Sequence, residues 1–435
     1  MKTLMITAPC SNTGKTILTL GIIRALRNRG LDISPFKTGP DFIDTKYLEV
    51  SAKKTAGNLD IHMMGKEGIK ESLSINKGEY GIIEGAMGYF DGIYNTYENS
   101  SFHISQELNI PAILIYAPKG EMFSAIPKIK GMVDFSQNRI KGIILNKTNE
   151  KIYSMLKEKI QEYIDIEVLG YLPKDEDFII EERYLGLLQT HENMDLDHKL
   201  NIISSKIEET ININRLIDLA KDIKIDSFKY PPKRNISIGI AYDEAFNFYY
   251  EENLKLLESI GNVVYFSPLH DKSLPKVDLI YIGGGYPELY KEELSRNKNM
   301  IEEIKKFAQN KGYIYGEGGG LMYLVETIEN MPMCGLLKGK GIMTKRLQRF
   351  GYVNIRLKED CLLGVKGDNI VGQEFHRSIV ETTEKEIFEI TKPKTNRNWE
   401  CGYMKDNILV AYPHINFLGN KKVLNYLIDK VENKR

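Results

Sequence analysis

Tyr315-Gly316-Glu317-Gly318-Gly319-Gly320-Leu321-Met322-Tyr323-Leu324 closes an apolar, strand-like run and opens into a helical one. A strand that turns sharply into a helix is the setting of a nucleophile elbow, which lifts one side chain clear of the edge of a parallel sheet. The tip of this turn is Gly318. Glycine has no side chain and cannot be a nucleophile, and it relieves the backbone strain that other residues bear at such a turn. Upstream, residues 236–241, 263–266 and 279–282 read as short buried strands. The last of them runs into Gly283-Gly284-Gly285-Tyr286-Pro287-Glu288-Leu289, whose amides can line an oxyanion hole. Downstream stand Gly372-Gln373-Glu374-Phe375-His376-Arg377-Ser378 and Val410-Ala411-Tyr412-Pro413-His414-Ile415-Asn416-Phe417.

Further upstream, Tyr230-Pro231-Pro232-Lys233-Arg234 is proline-rich and charged, the composition of a linker. Before it lies a second α/β pattern. Residues 4–8 read as a strand, followed by Ala8-Pro9-Cys10-Ser11-Asn12-Thr13-Gly14-Lys15-Thr16 and an amphipathic helix with Leu18, Leu20, Ile22, Ile23 and Leu26. Strand, phosphate loop and helix in that order are the P-loop context. Further strands are expected at 33–36, 81–84, 111–116, 141–145 and 169–172, the last taken as the end of this half. Strands alternating with helices imply a parallel sheet with right-handed crossovers. The expectation is therefore two doubly wound α/β domains. Residues 1–190 form a P-loop NTPase-like sheet, 191–233 a helical segment and linker, and 234–435 the domain carrying the elbow.

Length agrees, since 435 residues exceed one typical core. Lys+Arg equals Asp+Glu, so nothing favours nucleic acid or an anionic membrane as a partner. No apolar run approaches the ~20 residues of a membrane span, and the N-terminus enters a strand without a signal-peptide pattern. The four cysteines, Cys10, Cys334, Cys361 and Cys401, lack paired metal spacing and read as free thiols in a reducing cytoplasm.

Chemistry concentrates at predicted strand ends, where ligands bind in such sheets. Ser11, Asn12, Thr13, Gly14, Lys15 and Thr16 are positioned to bind the phosphates of ATP, with Lys15 bridging β and γ. The Thr16 hydroxyl and Glu84 are candidate ligands for Mg²⁺. Lys37 is a second cation at a strand end, and Asp41 and Asp44 follow within one turn. These two acids suit orientation of Mg²⁺ or of a substrate, and the sequence does not divide the roles. Glu84-Gly85-Ala86-Met87-Gly88 is followed closely by Asp91-Gly92.

These stretches carry a resemblance. Gly14-Lys15-Thr16, Phe36-Lys37-Thr38-Gly39-Pro40-Asp41-Phe42-Ile43-Asp44, Asn58-Leu59-Asp60 and residues 84–92 resemble the cobyrinic acid a,c-diamide synthase family. So do Asp243-Glu244-Ala245-Phe246-Asn247-Phe248-Tyr249-Tyr250, Phe266-Ser267-Pro268-Leu269, residues 283–289, Leu347-Gln348-Arg349-Phe350-Gly351-Tyr352 and Glu374-Phe375-His376. The match runs over nearly the whole chain. It implies a dethiobiotin-synthetase-like P-loop half fused to a class I glutamine-amidotransferase-like half. The implied reaction is ATP-dependent amidation of the a and c acetates of cobyrinate through an acyl phosphate, with Mg²⁺. Lys37 and Asp41 then take catalytic positions, and Asp44 and Asp91 face the substrate. The family's elbow cysteine falls on Gly318 and its histidine on His414, with Asn416 where a second histidine is frequent. The base remains without its nucleophile, so ammonia rather than glutamine is the expected nitrogen source. The same motifs would serve a,c-diamidation of another tetrapyrrole carboxylate, nickel-sirohydrochlorin. A P-loop ATP-binding switch or scaffold is the reading of another class, and residues 37–44 and 84–92 argue against it. The sequence also admits a homodimer.

Overall fold

The computed structural model describes residues 1–180, 182–183, 186–187, 190 and 195–433. The chain divides into two compact units, Met1–Ile61 with Gly65–Phe228 and Lys229–Arg435 with His62–Met64.

The first unit is built on β1 (Lys2–Thr7), β2 (Ile33–Thr38), β3 (Gly57–Leu59), β4 (Tyr80–Glu84), β5 (Ala112–Tyr116), β6 (Ile140–Asn146) and β7 (Glu167–Leu172). Their order across the sheet is β3-β2-β4-β1-β5-β6-β7, all parallel. The strands are continuous apolar runs such as Leu4-Met5-Ile6 and Ile113-Leu114-Ile115, as a sheet covered on both faces requires. Helix α1 (Lys15–Asn28) buries Leu18, Leu20, Ile22, Ile23 and Leu26 in that core. Each fully buried Leu or Ile contributes about 1.5–3 kcal/mol.

Register decides what meets at the carboxyl edge. Lys37 pairs across from Glu84, and Ile6 of β1 across from the same residue on its other side. The ends of β1, β4 and β2 thus place the phosphate loop, Glu84 and Lys37 side by side. Helix α2 (Ile43–Ala52) follows β2 directly. Contrary to expectation, residues 169–172 do not close this half. Lys221–Asp222 returns antiparallel to β1, with Lys2 opposite Asp222 and Thr3 opposite Lys221. The physical reason is an open edge, because β5 pairs with β1 only from Met5 onward.

The second unit holds a ten-stranded sheet. Its parallel part runs Asn262–Phe266, Ser237–Ala241, Leu279–Ile282, Tyr313–Glu317 and Ile408–Ala411 in spatial order. An antiparallel extension continues through Asn398–Lys405, Glu386–Thr391, Arg349–Leu357, Asn369–His376 and His414–Ile415. A smaller sheet joins Met331–Pro332, Thr327–Ile328, Lys340–Met343 and Ser378–Glu381. The elbow strand Tyr313–Glu317 lies between two parallel neighbours and leads into the helix Gly319–Leu324. Among the described residues no helix is long and apolar enough to cross a membrane.

Candidate active site

The phosphate loop is held open by its neighbours. Gly14 takes φ +89°, and a Cβ there would stand 2.2 Å from Asn146 Nδ2, so only glycine fits. Asn146, at the end of β6, donates from Nδ2 to the Thr13 carbonyl at 2.8 Å. Lys147 Nζ donates to the Asn12 carbonyl at 3.2 Å, and Thr13 Oγ1 to the Cys10 carbonyl at 2.8 Å. Sequence reading gave Asn146 and Lys147 no role; here they brace the loop. Ser11 and Asn12 lie exposed at its tip.

Lys15 is buried, and its Nζ donates a hydrogen bond to the Cys10 carbonyl at 3.3 Å. Burial pulls its ammonium below the ordinary value, and the like charge of Lys37 adds to this. Thr16 Oγ1 donates to Glu84 Oε1 at 2.6 Å. Lys37 Nζ lies 2.6 Å from Asp44 Oδ2 and 3.1 Å from Glu84 Oε1. Both Lys37 and Glu84 are buried. Burial alone would lower the Lys37 ammonium, but Asp44, Glu84 and Asp41 outweigh it and hold it above its ordinary range. Burial pushes the Glu84 carboxyl up, and Lys37 opposes the shift.

Asp41 and Asp44, grouped by sequence, take different partners in the fold. Asp41 Oδ1 accepts from the amides of Ile43 and Asp44, both at 2.8 Å, which caps the first turn of α2. Burial, and then the charge of Asp44, push its carboxyl up to about 7. Asn58 Nδ2 pins the same loop through the carbonyls of Gly39 and Asp41, both at 2.9 Å. Asp44 instead faces Lys37. Asp91 is exposed and accepts from the Gly88 amide at 2.9 Å, fixing a turn rather than joining the Lys37 cluster.

In the second unit, Gly318 adopts φ +53° and ψ −108°, outside the comfortable range of any residue with a Cβ. Its amide donates to the Ala411 carbonyl at 2.9 Å, and the Gly320 amide to the Gly283 carbonyl at 3.0 Å. His414 is buried, and its ring stands at the tip. A Cβ on Gly318 would lie 2.8 Å from both Cε1 and Nε2 of that ring. His414 Nδ1 lies 3.2 Å from Glu317 Oε2. Glu317 is buried and also accepts from Tyr315 OH at 2.6 Å, Tyr281 OH at 2.9 Å and the Ile415 amide at 3.2 Å.

The orientation of His414 therefore comes from Glu317, the residue before the tip, and not from Asn416. The Asn416 Oδ1 accepts from the Leu418 amide at 2.9 Å instead. Cys334 and Cys401 are buried, and burial pushes both thiols up to about 12, so neither carries thiolate at neutral pH. His376 stacks on Tyr412 at 3.8 Å between ring centroids, and its Nδ1 lies 2.8 Å from the Ser378 carbonyl, which is a packing role.

Comparison with known proteins follows the same division. Residues 4–185 match the family described as the CobQ/CobB/MinD/ParA nucleotide binding domain. Residues 237–422 match the CobB/CobQ-like glutamine amidotransferase domain. The cobyrinate a,c-diamide synthase of Clostridium acetobutylicum is 42% identical over 438 residues, covering 98% of this chain and 100% of that protein. That of Clostridium tetani is 42% identical over 440 residues, covering 99% and 100%. The protein of the same name from Methanocaldococcus jannaschii is 38% identical, covering 97% of each chain.

Proposed function

The chain belongs to the cobyrinate a,c-diamide synthase family, a family of carbon–nitrogen ligases, and from that premise we propose that it converts the a and c acetates of cobyrinate to amides with ATP, taking nitrogen from ammonia. The observation that carries the reading is the Thr16–Glu84–Lys37–Asp44 group beside the phosphate loop, with Glu84 and Lys37 buried and Thr16 and Asp44 half-buried. A nucleotide switch uses the loop and a metal ligand. It has no use for a second buried lysine held by two carboxylates at the same edge.

The residues present fit Mg²⁺. Among the described residues Glu84 Oε2 is buried with no hydrogen-bond partner, while Oε1 takes the Thr16 hydroxyl. A hydroxyl beside a carboxylate with an unsatisfied oxygen is a hard-donor pair suited to this ion. Thr16 and Glu84 would hold it, and when bound it neutralises charge on the transferring phosphoryl group.

In the reaction, an oxygen of the acetate carboxylate bonds to the γ-phosphorus, the bond to the bridging oxygen breaks, and ADP leaves. Ammonia then attacks the acyl carbon, the bond to the phosphoryl oxygen breaks, and inorganic phosphate and a proton leave with the amide formed. Lys15 and Lys37 counter the negative charge of the first step, and the cap at Asp41 fixes the turn that presents Asp44. Gly318 supplies no thiol to attack glutamine, which supports ammonia as donor. On this reading the synthetase chemistry lies in residues 1–190. Residues 234–435 keep the amidotransferase architecture without its first chemical step, and 191–233 join the two. The test is ADP release by the whole chain with Mg²⁺, cobyrinate, and either ammonium or glutamine. Release that needs cobyrinate and ammonium, with glutamine inactive, is expected. ATP turnover indifferent to cobyrinate would refute the reading in favour of a switch, and turnover driven by nickel-sirohydrochlorin instead would change the substrate.

A further inference from the structure

The loop after Glu84 carries two side chains that the proposed chemistry leaves without a task. Among the described residues fourteen other than glycine take a left-handed φ, and twelve of those are polar or charged. The other two, Met87 at φ +48° and Tyr94 at φ +59°, stand on this one loop. Both face water, Met87 with 46% of its surface and Tyr94 with 77%. A bulky side chain in this conformation is a backbone outlier, and an exposed one adds little to a core. Outliers of that kind point to function, here to a contact made from outside.

Hydrogen bonds fix where Met87 stands. The Gly85 amide donates to the Ile6 carbonyl at 2.9 Å, at the end of β1. The Ala86 amide donates to Thr38 Oγ1 at 2.7 Å, one residue beyond Lys37. The Tyr89 amide donates to the Ala8 carbonyl at 2.8 Å, where the phosphate loop begins. A Cβ on Gly88 would lie 2.5 Å from the Pro9 carbonyl, so the backbone of this turn rests directly on the phosphate loop. Met87 is therefore held between the end of β2 and the phosphate loop, on the edge that carries Glu84 and Lys37. The loop also has a packed base. Tyr89 is buried and meets Phe102 edge-to-face at 5.6 Å between centroids, and Phe90 meets Phe102 at 5.0 Å. The Gly92 amide on the Thr96 carbonyl at 2.9 Å and the Ile93 amide on the Glu98 carbonyl at 2.8 Å close the turn that lifts Tyr94. A ligand meeting Met87 and Tyr94 loses little to ordering this backbone.

The position selects the occupant. In the proposed reaction a carboxylate must reach the γ-phosphorus beside Lys15 and Lys37, so the body that bears it must lie over the adjoining surface. A wholly polar acid would leave both apolar side chains in water. A protein seated on them would cover the edge that the carboxylate has to enter. An acid with a broad apolar body next to its carboxylate covers the side chains and leaves the edge open.

We infer that Met87 and Tyr94 are the apolar contacts on which the ring of the acid substrate rests while one of its acetates reaches the phosphate site. The inference rests on the proposed function for the identity of the acid, and on the loop over residues 85–99 for the place. Cobyrinate is titrated calorimetrically into the full chain and into the Met87→Gly/Tyr94→Gly variant. Glycine accepts both left-handed φ values, so the loop keeps its course. Loss of two partly covered apolar side chains should weaken cobyrinate binding about tenfold. The heat-capacity change on binding should become less negative, since less apolar surface is buried. Met87→Leu/Tyr94→Phe restores apolar surface and should bind within about twofold of the parent. In ammonium-driven amidation the KM for cobyrinate should rise about tenfold in the glycine variant, with kcat and ATP affinity unchanged, because the contact is the same before and during the chemical step.

Equal affinity of the parent and the glycine variant for cobyrinate overturns the inference. Binding by Met87→Leu/Tyr94→Phe as weak as that of the glycine variant overturns the apolar contact. A fall in ATP affinity in the glycine variant also overturns it, because the side chains would then serve the nucleotide or the phosphate loop. Any of these results with cobyrinate-dependent ADP release intact leaves the proposed function standing. Variant-sensitive binding of cobyrinate without ADP release or amidation does the reverse.

Discussion

Restoring a side chain at the elbow tests both the geometry and the chemistry. Gly318→Cys adds a Cβ 2.8 Å from Cε1 and Nε2 of His414, closer than side chains tolerate, so the imidazole must move. The new residue must also hold φ +53° and ψ −108°. Strain of that kind costs about 1–3 kcal/mol. For a unit of this size each kcal/mol lowers the melting temperature by about 2–4 °C, so a fall of about 2–12 °C is expected. Gly318→Ala brings the same Cβ and the same strain without sulfur, and should fall by a similar amount. The two variants separate in the second assay, glutamate release from glutamine. The parent and Gly318→Ala should be silent. Gly318→Cys should release glutamate once His414 has turned aside, because Glu317 still holds its Nδ1. Melting temperatures of both variants within a degree of the parent would refute the strained, crowded tip. Glutamate release by the parent would refute the loss of the nucleophile.

Three further outcomes follow from the charges. Lys15→Ala should keep its fold and lose about two to three orders of magnitude in ATP turnover, the scale of one charge contact to a transition state; near-normal turnover would remove Lys15 from the phosphate site. Asp41 titrates near 7 when folded against an ordinary 3.8, so the folded form holds a proton that the unfolded form has lost between those values, and this group's contribution to stability declines as pH rises from about 4 to about 7. In Asp41→Asn, which keeps a capping oxygen, that decline should vanish, and parallel melting curves against pH for parent and variant would contradict it. Glu317→Ala strips the partner from His414 Nδ1, two tyrosine hydroxyls and the Ile415 amide, and should cost about 3–5 kcal/mol in chemical denaturation; a loss below about 1 kcal/mol would mean those groups find other partners.

Local features were legible in the sequence, and features set by register were not. Lys15 and Thr16 could be read because loop and helix are contiguous, and Gly318 because a strand-to-helix turn is a local pattern. Asn146 could not be read as a brace, since its partner Thr13 is 133 residues away. The pairing of Lys37 with Glu84 was visible only as two charged strand ends, until β2 and β4 proved to be neighbours in register. Asp41 and Asp44 looked equivalent, and the start of α2 distinguishes them by taking one as a cap. The antiparallel extension was missed because its alternation is partial. In Arg349–Leu357 only Val353, Ile355 and Leu357 alternate inward, while the first residues are exposed or half-buried.

Chemistry and stability are coupled differently in the two units. In the first, the charges assigned to the proposed reaction are buried or half-buried. Lys37 is the shared counterion of Glu84 and Asp44, so removing it leaves two carboxylates unneutralised at a cost of about 3–5 kcal/mol, and such a change harms the fold as well as the proposed reaction. In the second, the reacting atom is no part of the scaffold. The elbow is held by the Gly318 amide on Ala411, the Gly320 amide on Gly283 and the partners of Glu317, none of which involves a side chain at position 318. On the proposed reading a glycine there removes the glutamine-dependent step and leaves the architecture, and it also relieves strain. The buried Glu317 is tied to the tyrosines and the strand amide as well as to His414, so it holds the imidazole beside a tip that has no side chain to deprotonate.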